Sequence, residues 1–155
     1  MNDYLLEARE ELKRLEHIIY VTLKYTRTID VLINALHRLV EIYDLIIEAY
    51  LEKAKLEGLI EALPKSPALR ATVLIDLYKE DILLKKYLNF YSFIKNILKS
   101  PRQKREEFRR HVTLVTDFEH YSTEINIDNL MNYERFTHRF FRYSWTKVVG
   151  PLSDD

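Results

Sequence analysis

Cysteine is absent from the 155-residue chain. That excludes a disulfide framework, a thiolate zinc site and a cysteine nucleophile. Glycine occurs only at positions 58 and 150, so no glycine-rich loop can cradle phosphates, and P-loop and dinucleotide-binding functions are excluded. Serine-based triads have no sharp-turn nucleophile to support them. With just 4 prolines added, the chain has too few tight-turn residues for an all-β sandwich or barrel. Glutamine occurs once and methionine twice, against many Glu, Lys, Arg, Ile and Leu, a bias that resembles proteins from hot environments. No apolar run approaches the roughly 20 residues that span a bilayer. The opening MNDYLLEARE is acidic where a signal peptide needs positive charge. A cytoplasmic protein without a membrane partner is expected.

What is present is a helical chain. Hydrophobic residues make up 47% and charged residues 31%, a balance that excludes disorder. The length fits one domain, expected over 1–150, followed by an acidic tail at 151–155. The zero net charge is unevenly spread: residues 1–57 carry 8 basic and 11 acidic side chains, residues 58–98 carry 6 and 4, and residues 99–149 carry 10 and 7. A non-specific nucleic-acid coat is therefore not expected, whereas a local anion-binding site in the last third is compatible with the pattern.

The fold class expected is all-α, an up-down helical bundle. Leu5, Ala8, Leu12, Leu15, Ile19 and Thr22 recur at helical spacing, and the alternation restarts at Ile29 and runs through Leu32, Leu36, Leu39, Tyr43, Ile46 and Tyr50. A single helix of this length would reach about 82 Å, so the chain should reverse at Tyr25–Thr28, giving two long antiparallel helices over 3–25 and 29–57. Thr28 would cap the second and Gly58 would end it. Residues 59–67 read as a connector. Ser66-Pro67 then starts a short helix over 68–79, and Asp81 caps a longer one over 81–99. Ser100-Pro101 should open a basic helix over 101–110. The β-branched stretches in 112–127 favour extended structure, a small hairpin or an ordered loop. Asp128 should cap a last helix over 129–147, with Tyr133, Phe136, Phe140 and Tyr143 on one face.

The stretch from Arg102 to His111 is the most suggestive for chemistry. Arg102, Lys104, Arg105, Arg109 and Arg110 precede His111. A guanidinium can hold a phosphodiester through two parallel hydrogen bonds, and an imidazole titrating near neutrality can move a proton to or from a ribose 2′-hydroxyl. The same spacing also describes a solvated charged helix with Glu106 paired to neighbouring arginines. Both readings fit the residues.

In its layout the chain resembles the HEPN superfamily (higher eukaryotes and prokaryotes nucleotide-binding). Such domains have two long antiparallel helices, shorter ones behind them, and a late Arg-x(4–6)-His motif, which Arg105-x5-His111 matches. The resemblance covers the chain from Glu7 to about Val148. It implies a dimer whose two motifs form one metal-independent RNA-cleaving cleft, with Arg105 and His111 catalytic and Arg102, Lys104, Arg109 and Arg110 on the RNA. It also implies a nucleotidyltransferase-like partner protein. No cofactor and no metal are expected.

The remaining histidines lie on different elements. Glu134 and His138 stand one turn apart on the last helix, but the sequence offers no further metal ligand beside them, and an ion pair is the simpler reading. That helix also alternates aromatics and cations. Its aromatics could stack bases or simply pack on the first helix pair. Phe141 and Trp145 fall off its main apolar face and suggest an interface, so a homodimer or a non-catalytic interaction module is the alternative to RNA chemistry.

Overall fold

The computed structural model describes residues 2–100, 102–105, 112–118 and 121–150, with the backbone alone for 103–105. The chain is all-α in its framework, with one small sheet. Helix α1 (Asp3–His17) runs through a π-helical turn (Ile18–Thr22) into α2 (Leu23–Tyr25). After the reversal come α3 (Ile29–Leu56), α4 (Pro67–Leu77) and α5 (Ile82–Lys99), then strands β1 (Arg102–Arg105), β2 (Thr113–Asp117) and β3 (Ser122–Ile125), and finally α6 (Ile127–Val148).

The ends of the helices follow local chemistry. Asn2 Oδ1 accepts from the Leu5 amide at 3.1 Å and starts α1. Thr28 is extended and its hydroxyl accepts from the Val31 amide at 3.3 Å, so the reversal falls where expected. Gly58 has φ +77°, a backbone region that side chains with a Cβ rarely adopt. It closes α3 in a double-bonded cap: the Leu59 amide reaches the Ala54 carbonyl at 2.8 Å and the Gly58 amide reaches that of Lys55 at 3.1 Å. Pro67 occupies the first turn of α4, but the Ser66 side chain makes no capping bond. Asp81 caps α5 through the Leu84 amide at 3.0 Å.

Two expectations are corrected. Residues 102–105 are strand, not the start of a basic helix. Ser100 adopts φ −90°, ψ 156°, the extended conformation forced on a residue before proline. α5 therefore ends at Lys99, and the next described residues form a strand instead of a new helix. The backbone groups of 102–105 then find partners in the β-branched β2 strand. The remainder of the expected basic helix, 106–110, lies outside the described residues. The second correction is the start of α6, which is capped by Asn126 and not by Asp128. Asn126 and Asn129 exchange side-chain-to-amide hydrogen bonds, each 3.0 Å, and this reciprocal pair sets the boundary two residues earlier. Asp128 sits inside the first turn, where its charge favours the helix dipole.

The sheet is antiparallel with order β1-β2-β3. The register pairs Arg102 with Thr116 and Arg105 with Thr113, and Leu114 with Ile125. The hairpin expected in 112–127 is thus present, with β1 added at its edge. Val112, Leu114 and Ile125 are fully buried, which seats the sheet on the helical core through β2 and α3.

That core lies between α1, α3, α5 and α6. Leu12, Ile19, Leu39 and Ile46 are all buried in the long helix pair, as the periodicity requires. Above them an aromatic layer forms. Phe140 stacks on Tyr43 with ring centroids 4.9 Å apart and on Tyr87 at 4.8 Å. Phe136 and Tyr133 continue the layer against Phe90 on α5. Among the described residues, no helix is long and apolar enough to cross a membrane.

Candidate functional sites

Two groups of chemically capable residues emerge, on different elements. The first is the basic strand. β1 carries Arg102, Lys104 and Arg105 along one edge of the sheet, and Arg102 is exposed. The pairing of Arg105 with Thr113 holds the two ends of the intervening segment side by side. His111, Arg109 and Arg110 belong to that segment and lie outside the described residues. Phe141 and Trp145 are apart from this strand, on the C-terminal half of α6. They contact each other with ring centroids 5.9 Å apart. Both are half-buried and pack against the hydrophobic core. The expected surface patch is therefore smaller than the sequence pattern suggests, because each ring is partly spent on the fold itself.

The second group was only half visible in the sequence. Glu134 and His138 stand at i and i+4 on α6, so both side chains leave the same side of the helix. α1 packs alongside and delivers Glu16 to the same point. His138 Nε2 lies 2.6 Å from Glu16 Oε1 and 3.0 Å from Glu134 Oε1. The Tyr20 hydroxyl donates to the other Glu134 oxygen at 3.3 Å. Glu134 is 6% exposed, the one charged side chain among the buried described residues, whereas the side chains of His138 and Glu16 are 39% and 41% exposed. The cluster has a buried, oriented carboxylate at its base and a solvent-facing rim. Burial, with the Glu134 charge second, raises the Tyr20 pKa and keeps the hydroxyl a donor.

Tyr20 lies within the π-helical turn that interrupts α1. π-turns are rare and occur often at functional positions. Beside it is a cavity of about 320 Å³, lined in part by Tyr20, Lys24, Arg27, Asn126 and Asp128. The Arg27 Nε is buried without a hydrogen-bond partner among the described residues.

The sequence supplied Glu134 and His138 but not Glu16. The missing information is the pairing of α1 with α6, a contact separated by more than a hundred residues. Helical spacing within one segment carries no trace of it. Compared with known proteins, the chain matches no family model, no curated protein and no solved structure.

Proposed function

We propose that this chain is a HEPN-like helical domain that binds RNA and cleaves it without a metal, Arg105 holding the phosphodiester and His111 carrying the proton. The supporting observation is the β1–β2 register. Arg105 pairs with Thr113, so the segment that carries His111 starts and ends at one paired position of the sheet. A guanidinium from Arg105 and an imidazole from that short segment can address one phosphate. Arg102 and Lys104 extend the cationic edge, and Arg109 and Arg110 add charge in the connecting segment. The decisive experiment is incubation of the purified chain with single-stranded and transfer RNAs in EDTA, comparing the parent with Arg105→Ala and His111→Ala.

A second reading is favoured by a different observation. The Phe141–Trp145 pair, half-buried on α6, leaves aromatic surface that a symmetric copy can cover. In this reading the domain is a non-catalytic interaction module, as a homodimer or beside a nucleotidyltransferase-like partner, and RNA cleavage is absent.

A further inference from the structure

We propose that Glu16, Glu134 and His138 form a binding site for a first-row divalent cation, Zn2+ or Mn2+. The inference does not rest on the RNA reading, which uses other residues.

The argument begins with proton accounting at one nitrogen. An imidazole Nε2 carries at most one hydrogen. Two carboxylate oxygens from different helices nevertheless approach it, at 2.6 and 3.0 Å. One N–H bond satisfies one of them well. The other is left facing a like charge, since the three ligand atoms all lie within 4.8 Å of one another. Formally the cluster has two negative charges against at most one positive. A divalent cation at the shared focus removes the repulsion and uses all three lone pairs.

The spacing suits that ion. Metal–ligand bonds of about 2.1 Å, at angles between octahedral and tetrahedral, separate adjacent ligand atoms by about 3.0–3.4 Å. The observed 3.0 Å is already there, and the 2.6 Å contact needs only a small opening. The donor set, one imidazole and two carboxylates, suits Zn2+ or Mn2+ better than Mg2+ or Ca2+, which prefer all-oxygen shells. The supporting residue is in place too. Tyr20 donates to the Glu134 oxygen that does not face His138, the arrangement by which outer partners orient a ligating carboxylate. Tyr20 stands on the π-helical turn, an independent irregularity of α1 one turn after Glu16. The partial exposure of Glu16 and His138 provides an entry path and leaves coordination positions open to water.

The test is calorimetric titration of the EDTA-stripped, dialysed full chain with ZnCl2, with MnCl2 and electron paramagnetic resonance as the second probe. One ion per chain with micromolar or tighter affinity is expected for at least one of the two metals, with a rise in melting temperature on loading. His138→Gln and Glu16→Gln should each weaken binding at least tenfold, and Tyr20→Phe by about tenfold. His37→Gln, an exposed histidine elsewhere, should bind like the parent. Circular dichroism verifies folding, and if His138→Gln unfolds, the half-exposed Glu16→Gln decides. Absence of saturable binding of either metal up to roughly 50-fold above the micromolar range overturns the proposal. So does binding that survives both Glu16→Gln and His138→Gln, or that disappears in His37→Gln. RNA cleavage unchanged by Glu16→Gln leaves this result independent of the nuclease reading.

Discussion

The Tyr91 hydroxyl donates a hydrogen bond to Asp44, tying the middle of α5 to the middle of α3. The carboxylate pays for its position. Burial raises its pKa above the ordinary range, while the Tyr91 bond and the charges of Lys95 and Arg70 act in the opposite direction and only partly compensate. Arg70 is itself held by Glu48 at 2.6 Å and by the Pro64 carbonyl, also 2.6 Å, so the connector and α4 are fastened to the same region.

The sign of the resulting pH dependence follows directly. A carboxyl whose pKa is higher in the folded chain than in the unfolded one binds more protons when folded. Its contribution favours the fold below the unfolded value of about 4, and is lost as pH rises through the folded value. Asp44→Asn keeps an oxygen to accept from Tyr91 and removes the charge. Thermal melts of parent and variant between pH 4 and pH 7 should show the parent losing ground relative to the variant as pH rises. A difference that stays constant, or grows in the opposite direction, would show that the ion partners outweigh burial.

Asp81 does two jobs with its two oxygens. One caps α5 through the Leu84 amide at 3.0 Å, and the other accepts from the Tyr143 hydroxyl of α6. Asp81→Ala removes both and should cost about 1–3 kcal/mol. Tyr143→Phe removes only the bond between helices and should cost about 0.5–1.5 kcal/mol. Because the two share one interaction, the double variant should be less destabilised than the sum of the singles. Urea denaturation of the four proteins measures the coupling, and strict additivity would mean that the Tyr143 bond contributes nothing.

The helical framework was legible because burial and local capping agree in this chain. Leu12, Ile19, Leu39 and Ile46 are buried where 3–4 spacing puts them, and Thr28 and Asp81 are side chains whose capping chemistry is contained within three residues. β1 was illegible for the opposite reason. Arg102–Arg105 has no strand-favouring side chain, and its conformation is set by hydrogen-bonding partners that lie about ten residues ahead. Asn126 was overlooked as a cap because its partner is a second asparagine, Asn129, instead of the more familiar Glu or Gln. Glu16 belongs with His138 only after α1 and α6 meet, and Phe141 and Trp145 look more exposed in a helical projection than they are once the core has formed.

The aromatic pair leads to a prediction about assembly. Phe141 and Trp145 keep part of their rings outside the core, and a two-fold axis near α6 would cover them with their own copies. Light scattering at micromolar concentration should give about twice the 18.7 kDa chain mass. Trp145→Ala should shift the equilibrium towards monomer by at least tenfold in dissociation constant, as expected for a central aromatic anchor. A parent that is monomeric throughout this range removes the composite cleft from the RNA reading.

Cleavage chemistry is the last and sharpest prediction. In-line attack by a ribose 2′-hydroxyl needs a group to take its proton and a cation to steady the charge that gathers on the phosphate, and a metal is not required for either role. Arg105, fixed by backbone pairing to Thr113, can provide the cation, and His111 the proton carrier. Cleavage should persist in EDTA and leave 2′,3′-cyclic phosphate ends, which a phosphatase-resistance assay distinguishes from 3′-phosphates. Arg105→Ala and His111→Ala should each lower the rate by roughly a hundredfold or more, with unchanged circular dichroism. Lys104→Ala, a neighbouring cation on the same strand, should have a much smaller effect on rate while weakening RNA binding in low salt, because a point charge on the backbone contributes affinity without taking part in proton transfer. If a broad panel of RNAs stays intact, or if both alanine variants cut as well as the parent, the basic edge is no nuclease centre and the interaction-module reading takes its place.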